Sequence, residues 1–392
     1  MTKLEQLIKE LCPNGVEYKK LGEVATISRG GSFQKKDFCE DGVPCIHYGQ
    51  IYTRYGLFAD KTLTFISEDA AKKQKYALKN DIVMAVTSEN IDDVCKCVAW
   101  LGDDEIAVSG HTAIIHHTLN PKYLCYYFHT AMFYAQKKKL AHGTKVIEVT
   151  PDKLADITIP VPPLEVQSEI VKVLDNFTEL TAELTAELTA RKKQYEYYRD
   201  LLLDFGVHGG GTSECEWRTL GDVCIINRGD YITKKGVTEG DIPVILGGQE
   251  PAYYCDRSNH DGEAVVISRS GAYAGFVSYW NEPIFVTDGF AYEGKECLKT
   301  RYLYFVLKNM QDRLHKMKKG GGVPHVQGKE LEKIKIPVPS MSEQERIVGL
   351  LDRFDKLCND ISEGLPAEIE ARRKQYEYYR DKLLSFEERK NA

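Results

Sequence analysis

The chain has 392 residues, of which 43% are hydrophobic and 28% charged, and its formal net charge is −6. That length supports two or more globular cores, and no run approaches the ~18–20 apolar residues that span a bilayer. The acidic balance excludes a simple basic nucleic-acid binder held mainly by phosphate neutralisation, although it allows a local basic face.

Taken in chain order, the opening MTKLEQLIKELCPNG reads as a short amphipathic helix rather than a signal peptide, so the protein is expected in the cytoplasm. The eleven cysteines are scattered without a CxxC pair and read as reduced structural thiols, with no metal site. Strand-like DIVMAVT is followed by helical KYLCYYFHTAMFYAQKKKL, whose basic end Lys137, Lys138 and Lys139 runs into AHGTKV, containing Thr144 and Lys145. A Gly-containing loop after a basic helix end suits a phosphate backbone. ITIPVP then acts as a stop, since proline fits neither ladder nor helix. A helix is expected over residues 164–205, roughly 60 Å long at ~1.5 Å per residue.

The second half repeats this order. Strand-like EAVVISR and EPIFVTD precede helical RYLYFVLKNMQDRLHKM, and Lys316, Lys318 and Lys319 run into KGGGVPHV with His325. IKIPVP and a second helical stretch over 342–386 follow, with Ser342 and Glu345 as its candidate capping box.

The halves match letter by letter. At an offset of 199 residues, Leu21, Gly22, Arg29, Gly30, Lys35, Lys36 and Gln50 match Leu220, Gly221, Arg228, Gly229, Lys234, Lys235 and Gln249. At 177, Pro160, Gln167, Ile170, Leu174, Asp175 and Phe177 match Pro337, Gln344, Ile347, Leu351, Asp352 and Phe354. At 181, RKKQYEYYRD (191–200) returns as near-identical RRKQYEYYRD (372–381). The chain is therefore a tandem duplication. The expected boundaries are a first globular domain at 1–158, a central helix at 159–206, a second globular domain at 207–336 and a C-terminal helix at 337–392. The fold class is α+β for the globular domains and all-α for the connectors.

Both helices carry apolar or small positions at 4-3-4-3-4 spacing, a coiled-coil seam. It includes Ile170, Leu174, Phe177, Leu184 and Leu188 in the first helix, and Ile347, Leu351, Phe354 and Ile361 in the second. The seams are expected to pair antiparallel about a pseudo-two-fold axis. Arg191, Tyr195 and Tyr198, with Arg372, Tyr376 and Tyr379, then make one interface contact twice. From Gln167 to Gln194 is 27 residues, but Gln344 to Gln375 is 31. The first helix holds TAELTAELTA here, and the second holds Gly364 and Pro366, which should break or kink it. An added TAEL tetrad lengthens a helix by ~6 Å, a change that suits a ruler.

Base readout needs Arg, Lys, Asn, Gln or Ser on groove-facing loops. Gln50, Arg54, Gln249, Arg257, Ser268 and Arg269 are the candidates, with the paired cations Arg29, Lys35, Lys36, Arg228, Lys234 and Lys235 beside them. No phosphate loop, nucleophile elbow or zinc-protease motif occurs, and Asp152–Lys153 echoes a nuclease motif without a supporting acid.

The doubled LG[ED]V…[SN]RG start, the doubled IxIPVP…Q…IV…LDxF element, the TAEL tetrads and the doubled RKQYEYYRD together resemble the specificity subunit of type I restriction–modification systems, over almost the whole chain. The resemblance implies a non-catalytic chain whose two target-recognition domains each read one half of a bipartite DNA sequence, the helices setting the gap. It implies two methyltransferase subunits using S-adenosylmethionine, up to two restriction subunits using ATP and Mg, and no cofactor in this chain. The competing reading is a coiled-coil scaffold whose globular ends bind proteins. A further rival is the recognition part of a system that methylates without cutting.

Overall fold

The computed structural model describes residues 2–206, 215–248, 250–360 and 362–389. Its contacts form two compact units, Met1–Glu183 with Ile369–Ala392, and Leu184–Glu368. Unit 1 thus combines the first globular segment and the start of the first long helix with the second RRKQYEYYRD copy. Unit 2 combines the first copy with the second globular segment and the helix after it.

Unit 1 opens with helix Lys3–Leu11, closed at its start by a Thr2–Glu5 capping box. Its first five-stranded sheet runs, in spatial order, Ala25–Arg29, Thr112–His117, Ile82–Ala85, Cys97–Trp100 and Phe58–Ala59. The central strand is buried on both faces, which is why its sequence is a continuous apolar run. Strand alternation sends Ile82 and Met84 to the helical side, and Val83 and Ala85 to a core shared with Trp100, Ile106 and Val108. Unit 2 repeats this with a four-stranded sheet, Cys224–Arg228, Gly289–Gly294, Glu263–Ser268 and Val277–Asn281. There Val265 and Ile267 face the helices, while Ala264 and Val266 face the other side.

Each expected single helix of the globular segments is two. Pro121–Tyr127 and Ala131–Leu140 are separated where Thr130 caps the second through the Phe133 N–H. Thr300–Asn309 and Gln311–Lys316 are separated at Met310. The apolar periodicity continues across both breaks, so it does not reveal them.

The IPVP elements differ from the expected chain stops. Thr158–Pro160 pairs antiparallel with Tyr18–Lys20, and Lys335–Val338 with Glu216–Thr219. These are two-stranded ribbons, where a proline that lacks its N–H is tolerated at an edge. Tyr123 and Tyr302 hydroxyls donate to the Pro160 and Pro337 carbonyls at 3.0 and 3.2 Å.

After each ribbon a glutamine fixes the helix to its globular segment. Gln167 Oε1 accepts from the Asn120 N–H at 2.9 Å, and its Nε2 donates to the Pro162 carbonyl at 2.7 Å. Gln344 Oε1 accepts from the Lys299 N–H, and its Nε2 donates to the Pro339 and Cys297 carbonyls, all at 2.9 Å. Both glutamines are buried. Two turns on, an aspartate binds a cation of the globular helix: Lys122 to Asp175 at 2.7 Å, and Arg301 to Asp352 at 2.7 Å.

The first long helix is Leu164–Leu203; the second is broken into Met341–Asn359 and Leu365–Leu383. The cap of Met341–Asn359 is Ser340, accepting from the Glu343 N–H, so Ser342 lies inside the helix instead of capping it. At the break, Asp360 accepts from the Ser362 N–H and hydroxyl and from the Glu363 N–H. A Cβ on Gly364 would lie 2.6 Å from the Lys356 carbonyl oxygen. The four extra residues of the second repeat are thus taken up by a turn.

The seam splits in function along its length. Ile170 and Leu174, and Ile347 and Leu351, are fully buried in the cores of their own globular segments. Farther along, the helices pair antiparallel. Phe177 stacks on Tyr379 at 5.5 Å and 23°, and Phe354 stacks on Tyr198 at 5.9 Å and 23°. Tyr376 meets Tyr126, and Tyr195 meets Phe354. Leu184, Leu188, Arg191 and Arg372 are half-buried, and Ile361 lies outside the described residues.

Replacing Gln344 with Leu strands a buried N–H and two carbonyls. We expect about 2–4 kcal/mol lower unfolding free energy, read by denaturant titration. Burial holds the His117 and His129 imidazoles neutral, both down to about 4. Unfolded histidine binds its proton near 6.5, so the stability is full above that pH and is lost as pH falls towards 4. Thermal melts between pH 7 and pH 4.5 should show this loss, and His129→Gln should reduce it while His117 keeps its share.

Candidate nucleic-acid interface

The two basic stretches end in matching turns. In unit 1 the loop after helix Ala131–Leu140 returns as strand Ile147–Glu148, with His142 and Glu148 exchanging backbone hydrogen bonds of 3.0 and 2.8 Å. In unit 2 Lys319 and His325 exchange 2.9 and 3.0 Å bonds around Gly320–Gly322. Gly143, at φ +105°, cannot be replaced cheaply, because a Cβ would run into the Val146 carbonyl.

Lys138 and Lys139 are exposed at the end of that helix, and Thr144 and Lys145 on the loop after it. Lys137 is not: it is 5% exposed, and its ammonium donates to the Asp92 and Val94 carbonyls at 3.0 and 2.7 Å. Burial lowers its pKa. The run KKK turns one lysine per ~3.6 residues inward, so Lys137 holds a loop and leaves the phosphate set. In unit 2 Lys316, at the end of helix Gln311–Lys316, and His325 on the loop are exposed. Lys318 donates to the Ala272 carbonyl at 2.7 Å, and Lys319 lies 3.9 Å from Glu330.

The other paired cations divide similarly. Lys35 and Lys36, and Lys234 and Lys235, are exposed on one-turn helices Lys35–Asp37 and Lys234–Gly236. Arg29 bonds Glu148 at 2.7 Å and the Gly110 carbonyl at 3.0 Å, whereas Arg228 is exposed beside Tyr231.

Of the base-reading candidates, Arg54 and Arg257 are exposed, and Arg257 lies 5.9 Å over the Phe285 ring. Gln50 instead caps its own helix, accepting from the His47 N–H at 3.0 Å and bonding Thr64 at 3.2 Å. Ser268, 2% exposed, faces inward on its strand, and Arg269 follows it outward, as alternation requires. Gln249 lies outside the described residues. Sequence reading missed Tyr231, 86% exposed among these cations; the only signal was an aromatic in the hydrophilic stretch RGDYITKK.

Among the described residues, Cys97, Cys125 and His129 place donor atoms within 4.8 Å of one another. His129 Nδ1 is engaged by the Cys125 carbonyl at 2.9 Å, and burial pushes the Cys97 thiol up. This favours neutral packing over a charged metal centre.

A family model described as the type I restriction modification DNA specificity domain matches residues 13–191 and 212–371. The EcoR124I/EcoR124II specificity subunit of Escherichia coli is 38% identical over 247 residues, 57% of this chain and 60% of that relative, so the match spans under two thirds of the relative's length. The EcoprrI specificity subunit of Escherichia coli is 29% identical over 93% of both chains. The crystal structure of a type I restriction–modification S subunit from M. genitalium shares the fold, with TM-score 0.59 and 19% identity over 94% of this chain and 96% of that one.

If the exposed lysines meet phosphates, Lys138→Ala with Lys139→Ala should weaken DNA binding equally across sequences. The salt dependence of log K should flatten by ~1–2 in slope. Lys137→Ala should lower the melting temperature instead, with the salt slope unchanged.

Proposed function

The chain belongs to the type I restriction modification DNA specificity family, and we propose on that ground that it is the DNA sequence-specificity subunit of such a system. Each globular segment reads one half of a bipartite double-stranded target. The long helices set the gap and dock two methyltransferase subunits and up to two restriction subunits. This chain is itself non-catalytic. S-adenosylmethionine serves the methyltransferase, and ATP and Mg serve the restriction subunits. The observation that carries this reading is the duplication: two units keep one scaffold and one helix clasp but differ on their exposed loops. One scaffold with two surfaces is what reading two different half-sites requires.

The cations that face outward support DNA as the ligand, and the net charge of −6 fits a chain whose partners help to enclose the duplex. Among the described residues no helix is long and apolar enough to cross a membrane, which fits a cytoplasmic assembly.

Genome-wide single-molecule sequencing of methylated adenines tests the reading. Deleting the gene should abolish one bipartite motif; an unchanged methylome, with the methyltransferase expressed, would sink it. Inserting one TAEL unit after Leu188 should lengthen the unspecified gap by about one or two base pairs, from ~6 Å of added helix and ~3.4 Å per pair. Unchanged spacing would exclude the helix as ruler.

A further inference from the structure

The two units share a backbone cradle where the strands Thr112–His117 and Gly289–Gly294 begin. In unit 2 the Arg269 N–H donates to the Asp288 carbonyl at 2.9 Å, and the Val326 N–H to the Arg269 carbonyl at 2.8 Å. In unit 1 the Val86 N–H donates to the His111 carbonyl at 3.0 Å, and the Val149 N–H to the Val86 carbonyl at 3.0 Å. The next residue is a hydroxyl in both: Ser270 bonds the Asp288 carboxylate, and Thr87 meets His111 Nδ1 at 3.2 Å. Positions 86 and 269 are therefore structural equivalents, as are 111 and 288.

At these equivalent places the chemistry differs. Val86 is fully buried, while Arg269 is half-exposed. His111 stands where unit 2 has Asp288. Opposite Thr87 the partner strand places Glu148, which binds Arg29; opposite Ser270 it places exposed His325. Hence unit 1 fills this rim with a buried valine and a partly exposed ion pair, Arg29–Glu148. Unit 2 opens a recess of about 510 Å³, lined by Arg228, Tyr231, Leu246, Arg269 and Asp288. The Gly320–Gly322 turn and its lysines begin next to it, since His325 bridges both Ser270 and Lys319.

We propose that Arg269 is the guanine-reading residue of unit 2, that Asp288 is its positioning residue, and that unit 1 lacks an arginine reader at this position. The inference rests on the function proposed above. Asp288 stands 4.0 Å from the Arg269 guanidinium and is itself held by Ser270. That limits where the guanidinium can swing yet leaves most of its five N–H groups for an outside acceptor. The planar fork matches the O6 and N7 acceptors that guanine presents in the major groove. The lysines alongside supply contacts that fix register without reading sequence.

The test uses the complex with its methyltransferase, on a target first mapped by methylome sequencing and then changed one base pair at a time. Arg269→Ala should cut discrimination at one G·C pair of one half-site by roughly 10- to 100-fold. The other pairs of that half-site, the second half-site and the gap should keep theirs. Asp288→Asn should weaken the same pair in the same direction, by less. Unchanged discrimination, or a uniform loss over all pairs, overturns the proposal. Should Arg269→Ala fail to assemble, Arg269→Gln carries the question: a shift from guanine towards adenine at that pair supports it, and an unshifted preference overturns it. A wild-type complex with no bipartite preference would bring down the functional reading itself, a result distinct from either.

Discussion

The buried glutamine at the start of each long helix is the contact on which the rest depends. Where a helix leaves a globular segment, the chain around the junction carries main-chain N–H and C=O groups outside any helix or sheet ladder, and burying them unpaired is costly. Gln167 and Gln344 satisfy both sides at once, an N–H at the start of a globular helix and a carbonyl of the proline segment just after the ribbon. A glutamine amide offers a donor and an acceptor together at the end of a long side chain. With the glutamine in place the helix leaves at a fixed angle, Ile170 and Leu174 or Ile347 and Leu351 enter the core, and the aspartate two turns on meets its cation. The aromatic stack beyond, Phe177 on Tyr379 or Phe354 on Tyr198, then receives the returning helix. If the helices are the ruler proposed above, its ends must be fixed to what they separate, and this sequence of contacts supplies such a fixture.

The duplication divides the molecule into what must stay and what is free to change. Ribbon, clasp, cation–aspartate pair and aromatic stack recur contact for contact. The rims do not: Val86 against Arg269, His111 against Asp288 and Glu148 against His325 share backbone geometry but not chemistry. A strand end whose main-chain bonds are complete can exchange side chains without disturbing its sheet. Specificity can therefore diverge while the frame remains.

Most of the frame was legible in the sequence, because the matched letters are those that the frame uses. Gln167 and Gln344, Asp175 and Asp352, and the Tyr195 and Tyr376 copies all appear in the alignment of one half with the other. The break at Gly364 was legible too, since glycine and proline announce it. What could not be read were features set by tertiary context. The seam looks uniform, but its first turns bury into globular cores. The IPVP prolines look like stops, but sit in ribbons whose partners lie more than a hundred residues away. In the site, a run of three lysines does not say which one turns inward, so Lys137 misled, as did Gln50, drawn into a helix cap.

The same logic explains why the rim was the hardest part to find. Arg269 follows Ser268 in a strand, and only the register separates a buried hydroxyl from an exposed guanidinium. Asp288 gains meaning only beside Ser270, eighteen residues earlier in sequence. Unit 1 shows by contrast that the backbone does not need these residues: it makes the same turn with valine and histidine. A half-exposed arginine held beside a carboxylate loses part of its freedom to solvent, and the frame gains little stability from such a surface pair. On the reading proposed above, its use lies with what it meets outside the chain. Of the base edges in the major groove, guanine is the one whose two adjacent acceptors suit that fork.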